Sequence, residues 1–369
     1  MTATEQTLTS AASPSGASPL TAQQLSRASR VGITTASVLI GLGINAVLGE
    51  VRWGWVAVIA APTFVLLTYV ASRIVEGQRR AVDRVAAATA TIAFLVVMLP
   101  LISVLWTVIS EGASRLDGTF LTGDLRLTPE DLMAQRDGVA AGGAYHAMMG
   151  TLIITGLAAA IAVPLGLFTA IYLVEYGKGR LARAITTMVD VMTGIPSIVA
   201  GLFAYALFIL IFGPGSRTGI AGGVALSVLM TPVVVRSAEE MLKLVPNELR
   251  EASYALGVPK WKTIVKVVLP TAIAGILTGV TLAIARVIGE TAPLLIAAGV
   301  AQSANYNPFD GRMTSLPVFT YYQYVQPGIP TEAGVARAWA AALVLVIIVA
   351  VLFTVARVLA WILKPAGLR

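Results

Sequence analysis

The sequence predicts an all-α integral membrane protein with about eight transmembrane helices. Three observations carry that class. The 369 residues are 57% hydrophobic and only 12% charged, and the mean hydropathy is +0.82, whereas soluble domains carry about a quarter charged residues. The apolar residues fall in long continuous runs, each near or above the ~20 residues a helix needs to cross a bilayer. The basic residues collect in the segments between those runs.

The first 26 residues are rich in Ser, Thr, Ala and Pro, hold no apolar run, and read as a disordered cytoplasmic tail. Arg27 and Arg30 then precede a first span at about 31–49. The polar lead-in and the second span that follows at once favour a retained anchor over a signal peptide. Further spans fall at about 54–72, 85–109, 147–174, 184–212, 219–236, 268–299 and 337–363. Several are longer than one crossing requires, so tilting or breakage is expected.

Lysine and arginine set the orientation. With the N-terminus inside, 18 of them lie in cytoplasmic segments and 7 in outer ones, as the positive-inside rule demands. Both termini are then cytoplasmic. The outer face receives two long loops, about 110–146 and 300–336. The first is acidic. The second carries Tyr306, Phe309, Phe319, Tyr321, Tyr322 and Tyr324, either as headgroup anchors or as a face for a substrate-delivering protein. Residues 27–84 form an added hairpin with a basic linker, and 85–369 form a complete unit.

Composition excludes several functions. There is no cysteine, and His146 is the only histidine, so disulfides, thiolate sites and histidine clusters are ruled out. Its place beside Tyr145 and Gly143 marks His146 as an interfacial residue. The net charge of +7 is scattered through loops rather than gathered on one face, which suits a lipid surface better than nucleic acid. No G-x-x-x-x-G-K-[ST] occurs, and residues 257–263 only echo it. This chain is therefore not an enzyme with its own nucleotide site.

The segment 239–266 is too ordered to be a plain connector. Pro246 and Asn247 mark a helix start, and Glu248 and Glu251 suit the positive end of its dipole. Gly257 ends that helix and Pro259 starts another. The order Glu251-Ala252-Ser253, Gly257, then Val267-Val268-Leu269-Pro270 resembles the EAA loop of bacterial ABC-importer permeases. Ser253 stands for the second Ala and Val267 for the usual Ile. The resemblance implies coupling helices that dock into the ATP-hydrolysing subunit, with Glu251, Ala252, Ser253, Gly257 and Pro259 at the contact.

Arg286 and Glu290 are the one oppositely charged pair deep in a span, four residues apart and so expected on one helix face. A charge at that depth costs on the order of 3 kcal/mol, so such residues face a bundle interior or a water-filled path. Gly289 and Pro293 flank Glu290 and predict a kinked or unwound helix, the place where transporters put substrate. Two readings stand: a structural ion pair, or an anion path in which Arg286 attracts and Glu290 tempers. Asp190, just before the Gly194–Pro196 break, is expected to cap a half-helix, with pairing to a basic loop residue or a place at the inner gate as alternatives.

The run Ala285-Arg286-Val287-Ile288-Gly289-Glu290-Thr291-Ala292-Pro293-Leu294-Leu295 closely resembles the signature of phosphate ABC-importer permeases of the PstA type. Residues 194–203, Gly-Ile-Pro-Ser-Ile-Val-Ala-Gly-Leu-Phe, are similar to another segment of those subunits. The resemblance covers about 85–365 and leaves the first two spans as an N-terminal two-helix extension. It implies a six-helix, MetI-like permease core, with Arg286, Glu290 and Thr291 on the phosphate pathway and breaks at Asp190, Gly194, Pro196, Gly289 and Pro293. It also implies three kinds of protein partner: a PstC-type second permease, two PstB-type ATP-binding subunits holding ATP and Mg2+, and an extracytoplasmic PstS-type phosphate-binding protein; membrane lipid is the partner that the composition already predicts. Another oxyanion such as sulfate or molybdate is the nearest alternative. An ion-coupled carrier is a more distant one, because no repeat is visible and the cytoplasmic loop is elaborate.

Overall fold

The structure is a computed structural model that describes residues 25–47, 49, 52–126, 128, 129, 131, 133 and 141–362. The expected tail, apart from Leu25 and Ser26, lies outside those residues, as do Glu130, Arg136, Asp137, Lys364 and Arg369. Among the described residues every regular element is helical. Seven helices are long and apolar enough to cross a membrane, or eight spans if one bent pair counts as a single crossing. The expected fold class is thus borne out.

The chain divides into two compact units, Met1–Val104 and Leu105–Arg369. In the first, α1 (Arg27–Val47) packs along α2 (Trp53–Val75), and α3 (Gln78–Ala113) follows. Gly41 lets α1 and α2 approach closely, since a Cβ there would lie 2.8 Å from the Val56 carbonyl oxygen. The base of this unit is tied by Glu76, whose carboxylate accepts from Arg84 Nε at 2.5 Å, Ser72 Oγ at 2.6 Å and the Leu25 amide at 2.6 Å.

In the second unit a short α4 (Gly118–Thr122) leads to α5 (Tyr145–Ile171), which ends in a π turn at Tyr172–Tyr176. There follow α6 (Gly179–Thr193), α7 (Ser197–Phe212) and α8 (Gly219–Lys243). The external elbow is α9 (Asn247–Ala255) and α10 (Lys260–Thr263), and a second π turn at Ile264–Val268 joins it to α11 (Leu269–Ile288). The unit closes with α12 (Ala292–Ala297), α13 (Leu316–Val325) and α14 (Thr331–Ile362).

The central helix is α8. In its most apolar stretch 61% of residues are buried, against at most 28% in any other spanning helix, so the others leave most of their surface for lipid or partner subunits. Ile154, Ala158 and Ala162 of α5 meet Leu226, Met230 and Val234 of α8, with Val287 of α11 and Leu294 of α12 completing the core. Small residues set these distances, as packing between helices in lipid requires. A Cβ at Gly166 of α5 would come within 2.7 Å of Val234, and one at Gly279 of α11 within 2.4 Å of Ser237.

Two long runs are interrupted. In 184–212, α6 and α7 meet at 107° at Gly194–Pro196. The run 268–299 stops as a helix at Ile288 and restarts at Ala292. The two long loops differ from expectation. The second contains α13, whose Phe319 is buried with Phe120, Leu316 and Val344, and Tyr322 packs against the central core. Those two aromatics are therefore core residues, while Tyr306, Phe309, Tyr321 and Tyr324 stay exposed. His146 is likewise buried rather than interfacial, with its ring edge-on to Phe319 at a centroid distance of 5.4 Å. Arg337, expected on the outer surface, is buried and donates to Gln323 Oε1 at 2.8 Å and the Ala141 carbonyl at 3.2 Å.

Candidate translocation site and coupling elbow

The break between α11 and α12 follows from local sequence. Gly289 takes φ −90°, ψ 0° and closes α11, and the Glu290 amide donates to the Val287 carbonyl at 3.1 Å. Pro293 lacks an N–H and falls in the first turn of α12, where none is needed. This corrects one expectation. Arg286 sits in the last turn of α11 and Glu290 lies beyond its end, so the two do not share a helix face.

Among the described residues no side-chain hydrogen bond or ion pair engages Arg286 or Glu290. Arg286 is exposed, and Glu290 and Thr291 are half-buried. The break is packed against α7. Gly201 faces Pro293 so closely that a Cβ on it would lie 2.5 Å from the proline Cα. Thus the two interrupted helices, α6–α7 and α11–α12, meet beside their breaks, Gly201 of α7 against Pro293 of α12.

Asp190 does not cap a half-helix. It accepts from Arg236 Nη2 of α8, and Arg236 Nη1 also donates to Glu239 Oε2 at 2.7 Å. Lys243 Nζ donates to Glu239 Oε1 at 2.7 Å. Four charges on α6 and α8 therefore form one chain, in which Asp190 pairs with an arginine of a spanning helix rather than with a basic loop residue.

The elbow is a built structure. Pro246 precedes α9, Gly257 takes φ +74°, and Pro259 precedes α10. Ser253, where the resembling motif has Ala, is buried and shares a hydrogen bond with the buried Thr263 hydroxyl at 2.8 Å. Glu251, Ala252, Gly257 and Pro259 are exposed. Around them Leu244, Leu256 and Trp261 leave 73%, 83% and 62% of their surface open, an apolar patch of the kind that marks a protein-binding site.

Sequence reasoning missed what holds this elbow. Arg250 donates to Glu175 Oε1 through Nε at 3.0 Å and Nη2 at 2.9 Å, and to the carbonyls of Val245 at 2.6 Å and Leu242 at 3.0 Å. Glu175 lies in the π turn that ends α5. Lys260 donates to the Glu175 carbonyl and stands 4.7 Å from the Tyr176 ring centre. Also missed was a cleft of about 530 Å³, lined by Arg217, Arg312, Phe208, Phe309 and Asp310 among others. Among the described residues neither arginine has a carboxylate partner, and Arg217 stands 5.3 Å from the Tyr205 ring centre. No three His, Asp or Glu side chains among the described residues gather where a metal would sit.

Spanning helices broken beside unpartnered charges, joined to an external elbow with an apolar patch, define a membrane permease subunit. The chain belongs to the family of binding-protein-dependent transport system inner membrane components, whose model matches residues 162–366. It is 50% identical over 275 residues to phosphate transport system permease protein PstA 1 of Mycobacterium tuberculosis (strain CDC 1551 / Oshkosh), covering 74% of this chain and 86% of the relative. To phosphate transport system permease protein PstA of Mycobacterium leprae (strain TN) it is 48% identical over 282 residues, 75% of this chain and 88% of that one. A chain in the inward-facing MetNI methionine ABC transporter, CY5 SeMet soak crystal form, is 20% identical with a TM-score of 0.47, over 65% of this chain and 100% of that one.

Proposed function

We propose that this chain is the PstA-type permease subunit of an ATP-driven importer and passes inorganic phosphate across the cytoplasmic membrane by alternating access. The relatives' names favour phosphate over sulfate or molybdate. The observation that carries the pathway is the placement of Arg286 and Glu290 at the α11–α12 break, exposed or half-buried and without a partner among the described residues. A lone cation in an apolar span costs on the order of 3 kcal/mol unless a water-filled path or a partner subunit covers it. A path shared with a PstC-type second permease supplies both.

The chemistry at the break suits a protonated oxyanion. Arg286 attracts the dianion, and a fixed cation alone would hold it too firmly for release. The Glu290 carboxylate weakens that hold and accepts a hydrogen bond from monohydrogen phosphate. Sulfate has no proton to donate and meets repulsion instead. The cleft with Arg217 and Arg312 fits the same direction of travel, gathering the anion from a PstS-type binding protein before it reaches the break.

The elbow suits coupling. Two PstB-type subunits, holding ATP and Mg2+, would press on the patch of Leu244, Leu256 and Trp261 from the cytoplasm, where both termini of this chain also lie. From there α10 runs through the π turn into α11, whose 20 residues span about 30 Å and end beside Arg286. A push on the elbow thus moves the wall of the path without a flexible link between.

The test is phosphate uptake into proteoliposomes holding the full complex, wild type against Arg286→Gln. ATP-dependent uptake in wild type that disappears in a normally assembled variant is the expected result. Unimpaired uptake in the variant moves the pathway elsewhere. Sulfate or molybdate carried in place of phosphate overturns the substrate.

A further inference from the structure

We propose that the N-terminal helical unit binds one anionic phospholipid, its phosphate at Arg30 and Arg84 and an acyl chain running between α1, α2 and α3. The first observation is a cleft of about 230 Å³ lined by Leu25, Arg30, Phe64, Arg84 and Thr91 among others. The second is a groove of about 260 Å³ that shares Thr34, Phe64 and Thr91 with it and continues past Val38, Ala61 and Leu95. The two form one channel with a basic mouth and an apolar run.

Each wall is one helix face. Arg30, Thr34 and Val38 follow at intervals of four on α1, as do Phe64 and Thr68 on α2, and Arg84, Ala88, Thr91 and Leu95 at three or four on α3. Among these, Thr34 and Thr91 give their hydroxyl hydrogens to the Arg30 and Ala87 carbonyls of their own helices. They therefore present methyl groups and spent donors rather than a polar site. The apolar run suits a hydrocarbon chain.

Length agrees with one leaflet. From Arg84 to Leu95 the α3 wall rises about 17 Å, and from Arg30 to Val38 the α1 wall rises about 12 Å. Half of a hydrocarbon core is about 15 Å. A phospholipid whose phosphate sits at the arginines therefore reaches the far end of the groove with its tail. A free phosphate ion would leave that length empty.

Charge selects the headgroup. Glu76, with a fully buried side chain, already balances Arg84 through Nε at 2.5 Å and Nη2 at 2.7 Å. That pairing fixes the guanidinium at the mouth and leaves three of its five N–H groups uncommitted there. Arg30 is exposed and has no ion-pair partner among the described residues. The mouth thus carries one uncompensated positive charge beside a clamped arginine fork, which fits a phosphodiester bearing one net negative charge. A zwitterionic lipid brings its own cation into the same space.

The experiment uses the full chain in its complex, assembled in nanodiscs of equimolar phosphatidylglycerol and phosphatidylcholine, then released into mild detergent for native mass spectrometry. Wild type is expected to retain phosphatidylglycerol preferentially. Arg30→Gln, an exposed position, should cut that preference about fivefold, the effect of one arginine at an anionic surface. Ala87→Phe fills the mouth from another exposed position and should abolish retention of both lipids. Added inorganic phosphate should not displace the lipid. Equal retention of the two lipids, retention unchanged in both variants, or displacement by inorganic phosphate would each overturn the proposal.

Discussion

Arg250 of α9 and Glu175 at the end of α5 are 75 residues apart in sequence, yet their charged groups meet at 2.9 Å with side chains only 13% and 5% exposed. Because Arg250 also holds the Leu242 carbonyl in the last turn of α8 and the Val245 carbonyl just beyond it, one guanidinium fastens the elbow to two spanning helices. Removing it leaves Glu175 buried without its cation, a change that costs about 3 kcal/mol. Arg250→Ala should therefore lower the thermal stability of the complex and separate ATP hydrolysis from uptake. Glu175→Gln keeps an oxygen acceptor and should do so more mildly. Hydrolysis and uptake measured on the same proteoliposomes check this, and a coupling ratio equal to wild type in Arg250→Ala would remove the elbow's tie from the mechanism.

Gly257 needs its lack of a side chain for backbone reasons alone. Its φ is +74° and a Cβ there would meet nothing within 4 Å. Any L side chain is therefore accepted sterically but strained by about 1–2 kcal/mol. Gly257→Val should shift the angle between α9 and α10 and reduce uptake per ATP hydrolysed, while Gly257→Asn, which tolerates that conformation, should retain most coupling. If valine and asparagine behave alike, the turn geometry is not what matters.

How much of this was legible depends on the range of the interaction. The elbow could be read because Pro246, Gly257 and Pro259 act on their own backbone. The α11 break could be read for the same reason, from Gly289 and Pro293. Pro232 shows the limit of that logic, since it lies inside α8 without ending it; neighbouring helices hold that stretch, whereas a glycine and a proline close together, as at 194–196, 257–259 and 289–293, stop a helix. α11 also ends at Ile288, two residues earlier than a shared Arg286–Glu290 face requires. Arg250–Glu175 and Arg236–Asp190 were invisible because each partner belongs to a distant run. Residues 300–336 read as a loop, but Pro317 falls in the first turn of α13, a position proline favours.

The unpartnered carboxylate at the break makes a specific prediction about substrate. Glu290→Gln removes the negative charge yet keeps a carbonyl acceptor for the proton of monohydrogen phosphate. Repulsion of sulfate then falls while the phosphate hydrogen bond survives. Competition between sulfate and phosphate in uptake assays should become about tenfold stronger, corresponding to the roughly 1.4 kcal/mol of a charge-assisted contact. Unaltered discrimination would place selectivity at the binding protein or at the second permease.

The clamp at Glu76 predicts an acid transition in the N-terminal unit. The Arg84 guanidinium donates to this carboxylate, and with help from Ser72 and the Leu25 amide it outweighs the opposing effect of burial. The pKa falls from 4.5 to about 2. A group lowered on folding stabilises fully above its ordinary value and loses that contribution as pH drops toward its folded value. Hydrogen-exchange protection around residues 72–84 should therefore hold at neutral pH and decline between about pH 4.5 and 2. In Glu76→Gln the neutral-pH protection should already be reduced, and the decline across that window should vanish, since no proton is left to bind. An identical acid profile in the variant would show that another group governs the base of this unit.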